Sequence, residues 1–399
     1  MKTKIFLFIL VFAVFFVFFN HIDVKNVAYA AESDIEEELS ESVDDTLDKL
    51  DTSKLEEYFD SLSEDEKGLV SDDVKTMLKK LVSGDVGLSF TDFLAALFKG
   101  IAGGFTDFIP AVLTVMVVSV LSGMLKGLNS GFLNDSTSEI VGFACYAAVL
   151  TVVISETAKM FTLTVETVGR VEKLTNALFP VLITLMTALG GTSGAGFIKP
   201  LAAVASAGAV KIVKSVVLPC FTGSVVIGAV GNVSPSVKLS KLSDFFRKIG
   251  EWVLKLSFSA FVFYLTVAGI LGRTVDGVGV NAARFALKSY VPVVGGYLSD
   301  GFDVVMASCV LIKNALGVTG LIILASVVLF PVLKMAAFIV LLRFAAAAVE
   351  PLGADNTSEI LTKIAKSCKL LVSSVLAAAF AFFALVLTVS LSCNTGVAG

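Results

Sequence analysis

Uncharged apolar stretches of about bilayer length recur along this chain and restrict the folds open to it. Three of them cover residues 256–272, 317–333 and 370–391, and each is close to the roughly 20 residues that a helix needs to cross a membrane. Hydrophobic residues make up 56% of the chain and the mean hydropathy is +0.88, which is more apolar than an ordinary soluble protein. We therefore predict an all-α fold: a polytopic integral membrane helical bundle with about seven or eight spans, some of them broken or re-entrant.

The first thirty residues have the pattern of an export signal. Lys2 and Lys4 give a basic start, an apolar run follows, and Ala28-Tyr29-Ala30 supplies the small residues of a cleavage site. We predict a signal peptide over residues 1–30; the alternative is an uncleaved first transmembrane helix. Cleavage would place the new N-terminus outside the cytoplasm and would remove His21, the single histidine of the chain.

The region after this signal differs in charge from the rest of the chain. Residues 32–80 carry 18 acidic and 6 basic side chains, and apolar residues recur at every fourth position, as at Ile35 and Leu39. We predict that residues 31–92 form a small, acidic extracytoplasmic helical segment. Its apolar stripe either packs the short helices on one another or binds a partner helix, or the region is a charged spacer. Residues 93–399 are predicted to form the multi-pass membrane domain.

The groups that most enzymes use are scarce. Without His21 the chain has no histidine, which excludes histidine-based triads and histidine metal sites. The five cysteines are widely spaced and include no Cys-x-x-Cys pair, so we predict that they are small core residues. No Gly-Lys phosphate loop is present. We predict no catalytic residues, no metal site and no cofactor, and the chain is not predicted to be an enzyme.

Two glycine-rich regions interrupt the apolar stretches. The positions predicted to break helices are Gly190, Gly191, Gly194, Pro292, Gly295 and Gly296. In lipid, backbone groups freed by a break are tolerated only where protein or a water-filled cavity satisfies them, so such breaks point to a transport pathway. The alternative is close packing of helices around small residues.

Charged residues within apolar surroundings form a second set of candidates for a conduit or for intramembrane charge pairs: Asp300, Asp303, Arg343 and Glu350. A charge at the bilayer centre costs about 2.5 to 3.5 kcal/mol on the insertion scale, so such groups usually face a cavity or a partner. Arg343 could pair with Asp303 or with Glu350. These groups either hold the bundle together, line a solute path, or reach the membrane surface, which is the simplest account of Lys334 and Glu350.

Basic residues cluster before the apolar stretch at residues 256–272, where they include Lys241, Arg247 and Lys248. The bias of lysine and arginine toward cytoplasmic loops predicts that this cluster faces the cytoplasm. Trp252, the single tryptophan, lies beside it at the depth expected of an interfacial anchor.

Three segments of the C-terminal half carry a family resemblance. They are Tyr-Val-Pro-Val-Val-Gly-Gly-Tyr-Leu-Ser-Asp at residues 290–300, Lys-Asn-Ala-Leu-Gly at residues 313–317 and Phe-Pro-Val-Leu-Lys at residues 330–334. In these segments the chain resembles the stage III sporulation protein AE family of endospore-forming bacteria. Length, export signal, acidic segment and polytopic remainder agree with that family over the whole chain.

The resemblance implies a multi-pass protein of the mother-cell membrane around the forespore. It implies a membrane component of a sporulation channel or transport complex that is required for late forespore development and sigma factor activity. The implied partners are other proteins of the stage III sporulation A operon, including an ATPase and ring-forming membrane proteins, stage II sporulation protein Q across the intermembrane space, and a membrane insertase; no nucleic acid is implied. The chain would be a permease-like conduit or its core, and the alternatives are a non-conducting scaffold and a stand-alone secondary transporter.

Overall fold

The computed structural model describes residues 33–63, 73–83, 90–132, 135–231, 239–275 and 295–392. Within these residues the chain is helical and contains no β-strand, which confirms the predicted all-α fold. The predicted signal peptide, residues 1–30, lies outside the described residues, and its cleavage stays a prediction.

Three short helices come first: α1 (Ser33–Lys49), α2 (Ser53–Asp60) and α3 (Val74–Val82). Their apolar faces pack mainly against two long helices that follow in the chain, Asp135–Ala188 and Gly295–Val349. Leu55 and Leu78 are fully buried. The burial of these faces explains why so acidic a segment folds into helices. Which side of the membrane this unit occupies stays a prediction.

An ion pair joins α1 to α3 on the surface of this unit. The Lys79 Nζ atom lies 2.9 Å from the Asp44 Oδ1 atom, and the hydrogen bond to this carboxylate raises the pKa of Lys79. Because both side chains are more than half exposed, the pair orients the two helices and contributes little to stability.

Eight further helices follow among the described residues: α4 (Phe90–Phe132), α5 (Asp135–Ala188), α6 (Thr192–Ala203), α7 (Ala209–Ile212), α8 (Leu218–Gly231), α9 (Ser240–Val275), α10 (Gly295–Val349) and α11 (Asp355–Leu391). Helices α6, α7 and α8 form one rod, joined by two π-helical turns at Val204–Gly208 and Val213–Val217. A 3-10 turn, Glu350–Leu352, follows α10.

Six helical stretches of the described residues are long and apolar enough to cross a membrane: Phe98–Met124, Ile140–Ala188, Gly194–Gly231, Ser240–Ala268, Val304–Leu352 and Asp355–Leu391. This identifies a multi-pass helical membrane protein. The sequence predicted seven or eight crossings, compared with these six stretches. The two numbers differ because two of the stretches are 49 residues long. Each is about 70 Å long, more than twice the hydrocarbon thickness.

Both long stretches join segments that the sequence pattern separates. Residues 157–174 carry five charged side chains, a pattern typical of an amphipathic surface helix, but they form the middle of α5. Residues 317–333 and the apolar segment after them lie on α10, which continues through Pro331. A proline removes one backbone hydrogen bond from a helix, and the packing around α10 outweighs that loss.

Helix α10 is the central element of the bundle. Leu316, Ile323 and Val327 are fully buried, because α5 and α11 enclose this part of the helix. Gly320 permits the close approach, since a Cβ atom at this position would overlap the Leu178 side chain of α5.

Candidate functional site

Helices α4, α5 and α10 meet at a pair of opposite charges. The Lys334 Nζ atom of α10 lies 2.5 Å from the Asp107 Oδ2 atom of α4. Their side chains keep 41% and 48% of their exposure, so the pair lies in an open space between the helices and not in the packed core. The sequence pattern did not select Asp107, and it predicted that Lys334 reaches the membrane surface.

Helix α5 presents a charged stripe to the same space. The stripe consists of Glu156, Lys159, Leu163, Glu166 and Arg170, whose spacing of three or four residues places them on one side of a helix. Lys159 donates a hydrogen bond to Glu156, with 2.7 Å between Nζ and Oε1. Three charged residues of 157–174, Lys159, Glu166 and Arg170, therefore face a cavity in the middle of a long helix.

Two adjoining cavities occupy this space, with volumes of about 660 Å³ and about 390 Å³. Both are lined by Asp107, Leu163, Glu166 and Lys334. We call the two cavities together the charged groove. Its wall also includes residues that line only one of the cavities: Glu156, Lys159, Ser63, Lys99, Thr167, Arg170 and Phe330.

Glycines of α4 bring it close to α10 along one wall of the groove. A Cβ atom at Gly100 would lie 3.0 Å from the Phe330 ring, and one at Gly104 would lie 3.2 Å from the Ala337 Cβ atom. The Gly-x-x-x-Gly spacing is a common means of close helix approach in membranes. It fixes the distance at which Asp107 and Lys334 face each other.

The groove can receive a polar solute or an ion. Carboxylates and ammonium groups face one another across it. A solute of either charge can therefore leave water and contact a protein group of the opposite charge in the groove. No group of three or more metal-binding side chains occurs in the part of the chain that the structure describes.

The predicted pairing of Arg343 with Asp303 is not formed within one chain. Asp303 lies near the start of this 55-residue helix and Arg343 near its end, so roughly 60 Å of helix separates them at 1.5 Å per residue. The backbone of Asp300 and Asp303 is helical, and their side chains lie outside the described part of the structure.

Arg343 and Glu350 are both exposed, and the described residues include no ion pair between them. Arg343 instead lies within electrostatic range of Lys369 on α11. Neither Arg343 nor Glu350 lines the charged groove.

The predicted helix breaks lie in two places. Gly190 and Gly191 separate α5 from α6, and Gly190 has a φ of 77°, a left-handed conformation that favours glycine at the end of a helix. Gly191 donates a hydrogen bond to Met186 at 2.9 Å. Gly194 is buried within α6.

The second predicted break lies at the start of α10. Gly295 and Gly296 are its first two residues, and Pro292 lies outside the described residues. None of Gly190, Gly191 and Gly194 is among the described residues that line the charged groove. A role of these positions in a conduit stays a prediction.

Lys313 is a further functional candidate that sequence reasoning did not select. Its side chain is fully buried, and its Nζ atom donates hydrogen bonds to the carbonyl oxygens of Ser390 and Ser392 at the end of α11. A cation is favourable at the carbonyl end of a helix. The sequence alone could have pointed to this residue, because Lys313 is the one charged residue between Asp303 and Lys334.

Comparison with known proteins identifies the family. The family model described as stage III sporulation protein AE matches residues 72–393. The chain belongs to the stage III sporulation protein AE family. A stage III sporulation protein AE relative, the protein of that name from Bacillus subtilis (strain 168), is 23% identical over 322 residues, which cover 81% of each chain. No solved structure matches this chain.

Membership in the stage III sporulation protein AE family confirms the resemblance and implies a role in sporulation. The match begins at residue 72, so it covers Lys313 and all of the charged groove except Ser63, but not α1 and α2. The name of the family refers to a stage of spore development.

Proposed function

We propose that this chain is the permease-like membrane component of the stage III sporulation A complex, and that the charged groove is the polar part of its conduit. The observation that carries the proposal is the groove itself, where charges from α4, α5 and α10 surround an open space between helices that are otherwise apolar. Charges within membrane helices are costly and are commonly kept for a transport path.

In this proposal the chain lies in the mother-cell membrane around the forespore and acts without catalysing a reaction. The acidic unit of α1 to α3 is extracytoplasmic and faces the intermembrane space, where stage II sporulation protein Q would meet the complex. An ATPase and ring-forming membrane proteins supply the energy and the rest of the path, and an insertase places the helices. The conduit supports late forespore development and sigma factor activity.

A non-conducting scaffold is the second candidate, and one observation favours it. Helix α1 presents exposed carboxylates at Glu38, Glu41 and Asp48, which suit a basic surface on a partner protein. A stand-alone secondary transporter accounts less well for membership in a sporulation family.

An exchange of charges between Asp107 and Lys334 tests the conduit. The Asp107→Lys variant is expected to lose most spores while its amount in the membrane stays normal, because a partly exposed pair contributes at most about 1 kcal/mol to stability. Combining Asp107→Lys with Lys334→Asp restores the pair and is expected to recover spore formation. Heat-resistant spores and membrane-bound protein are counted in the same cultures.

Co-purification separates the two candidates in that experiment. A conduit predicts that Asp107→Lys still co-purifies with the other proteins of the complex. Loss of co-purification together with loss of spores would favour the scaffold. Normal sporulation in both the Asp107→Lys and the Lys334→Asp single variants would contradict the conduit.

A further inference from the structure

Helices α9 and α11 run side by side in the same direction. A Cβ atom at Gly250 of α9 would lie 2.6 Å from the Leu370 side chain of α11, and the rings of Phe258 and Phe380 lie 5.1 Å apart. On α11 the last charge before the apolar stretch is Lys369, beside this contact. On α9 the last charge before the apolar stretch is Lys255, five residues beyond Gly250. Both helices therefore change from charged to apolar within about two turns of each other, near a membrane surface.

Lys369 is surrounded by basic side chains from three helices. Lys369 lies within electrostatic range of Arg247 on α9, Arg343 on α10 and Lys366 on α11, and also of the Glu251 carboxylate on α9. We call the four basic residues the cationic cluster. Arg343 and Lys366 are exposed, so a ligand can reach the cluster from outside the bundle.

The positive charge of the cationic cluster is only partly balanced. Arg247 donates hydrogen bonds to Asp244 at 3.0 Å and to Glu251 at 2.7 Å. The other three members form no salt bridge with a described residue. Basic pockets between membrane helices bind the headgroups of anionic lipids.

The outer face of α9 continues this surface with aromatic and basic side chains in alternation. Lys241, Phe245, Lys248 and Trp252 follow one another at spacings of three or four residues, and Trp252 and Phe245 are 64% and 57% exposed. Tryptophan is enriched at the headgroup level of membranes, and a basic amphipathic helix with exposed aromatic residues lies at that level.

We propose that the cationic cluster binds the phosphate of an anionic membrane lipid, with Trp252 at the level of the headgroup. The lipid, and not a soluble phosphate, is the ligand because the cluster lies at the shared apolar boundary of α9 and α11 and beside exposed aromatic side chains. This site is separate from the charged groove. In this proposal Arg343 is a lipid-binding residue.

The single tryptophan gives a direct measurement. The full-length purified protein is placed in phosphatidylcholine vesicles that contain a minor fraction of brominated phosphatidylglycerol or of brominated phosphatidylcholine. Bromine quenches only nearby tryptophan, so Trp252 should be quenched more strongly by the anionic lipid. High salt should reduce this preference, because the Debye length falls to about 3 Å at 1 M.

A triple variant, Arg343→Gln with Lys366→Gln and Lys369→Gln, identifies the residues responsible. Each basic residue near an anionic membrane contributes a factor of about five, so the preference is expected to weaken on the order of 100-fold. The control changes three cations of the N-terminal unit, Lys49→Gln with Lys54→Gln and Lys75→Gln, and should quench like the natural protein. A charge-conserving variant, Lys366→Arg with Lys369→Arg, should also keep the preference if the triple variant misfolds.

Three results would overturn the proposal. The first is equal quenching of the natural protein by the two brominated lipids. The second is an unchanged preference in a triple variant that remains folded by circular dichroism. The third is loss of the preference when inorganic phosphate replaces chloride at equal ionic strength, which would identify a site for a soluble anion.

Discussion

The Lys313→Glu variant is expected to leave almost no folded protein in the membrane. Lys313 is fully buried and donates to the carbonyl oxygens of Ser390 and Ser392, at the negative end of the dipole of α11. A carboxylate there would face carbonyl oxygens with no means of hydration, and an uncompensated buried charge costs about 3 to 5 kcal/mol. That amount is a large part of the stability of a typical domain.

Two further variants separate charge from volume at this position. Lys313→Met keeps the length of the side chain without a charge, so it should lose only the hydrogen bonds, at about 1 kcal/mol each. Lys313→Arg keeps the cation and should remain closest to the natural protein. Immunoblots of membranes and thermal melts in detergent measure the series, and normal accumulation of Lys313→Glu would show that this contact with α11 does not form.

A single methyl group at Gly123 is expected to lower stability, against the usual effect of this substitution. A Cβ atom at this position would overlap the carbonyl oxygen of Leu352, and relief requires movement of the backbone beyond α10. Overpacking of this kind typically costs about 1 to 3 kcal/mol. Gly123→Ala should therefore melt at a lower temperature than the natural protein.

Gly142 provides the matched control on α5. A Cβ atom there would have no neighbour within 4 Å, and alanine is favoured over glycine in a helix by about 1 kcal/mol. Gly142→Ala should be neutral or stabilising, so the two variants are expected to shift the melting temperature in opposite directions. Equal shifts would contradict the contact between α4 and the turn after α10.

Apolar length and family resemblance made the class of fold predictable. The stretch at residues 370–391 has no charge, and it lies as expected on a single membrane helix, α11. The number of helices was less accessible, because neither Pro331 nor the charges of residues 157–174 end a helix in this bundle. Tertiary packing decides whether a helix continues through such residues, and a local sequence pattern carries no information on that packing.

The charged groove depends on pairings that sequence spacing does not reveal. Asp107 and Lys334 lie on helices far apart in the chain, and only the packing of α4 against α10 brings them together. The candidates Asp303 and Arg343 looked close because the intervening segments were read as separate spans. One continuous helix holds them apart.

Accessibility of a cysteine at position 163 tests the conduit most directly. Leu163 lines both cavities of the charged groove, whereas Val168 on the same helix is 1% exposed and Ile154 has an exposed apolar side chain outside the groove. Each is replaced by cysteine in a chain without its five native cysteines, and sporulating cells are treated with a charged, water-soluble thiol reagent. The conduit predicts that Leu163→Cys reacts and that its modification blocks spore formation, while Val168→Cys and Ile154→Cys remain unmodified. Reaction of Leu163→Cys no faster than Ile154→Cys, or reaction without loss of spores, would contradict a polar path through this groove.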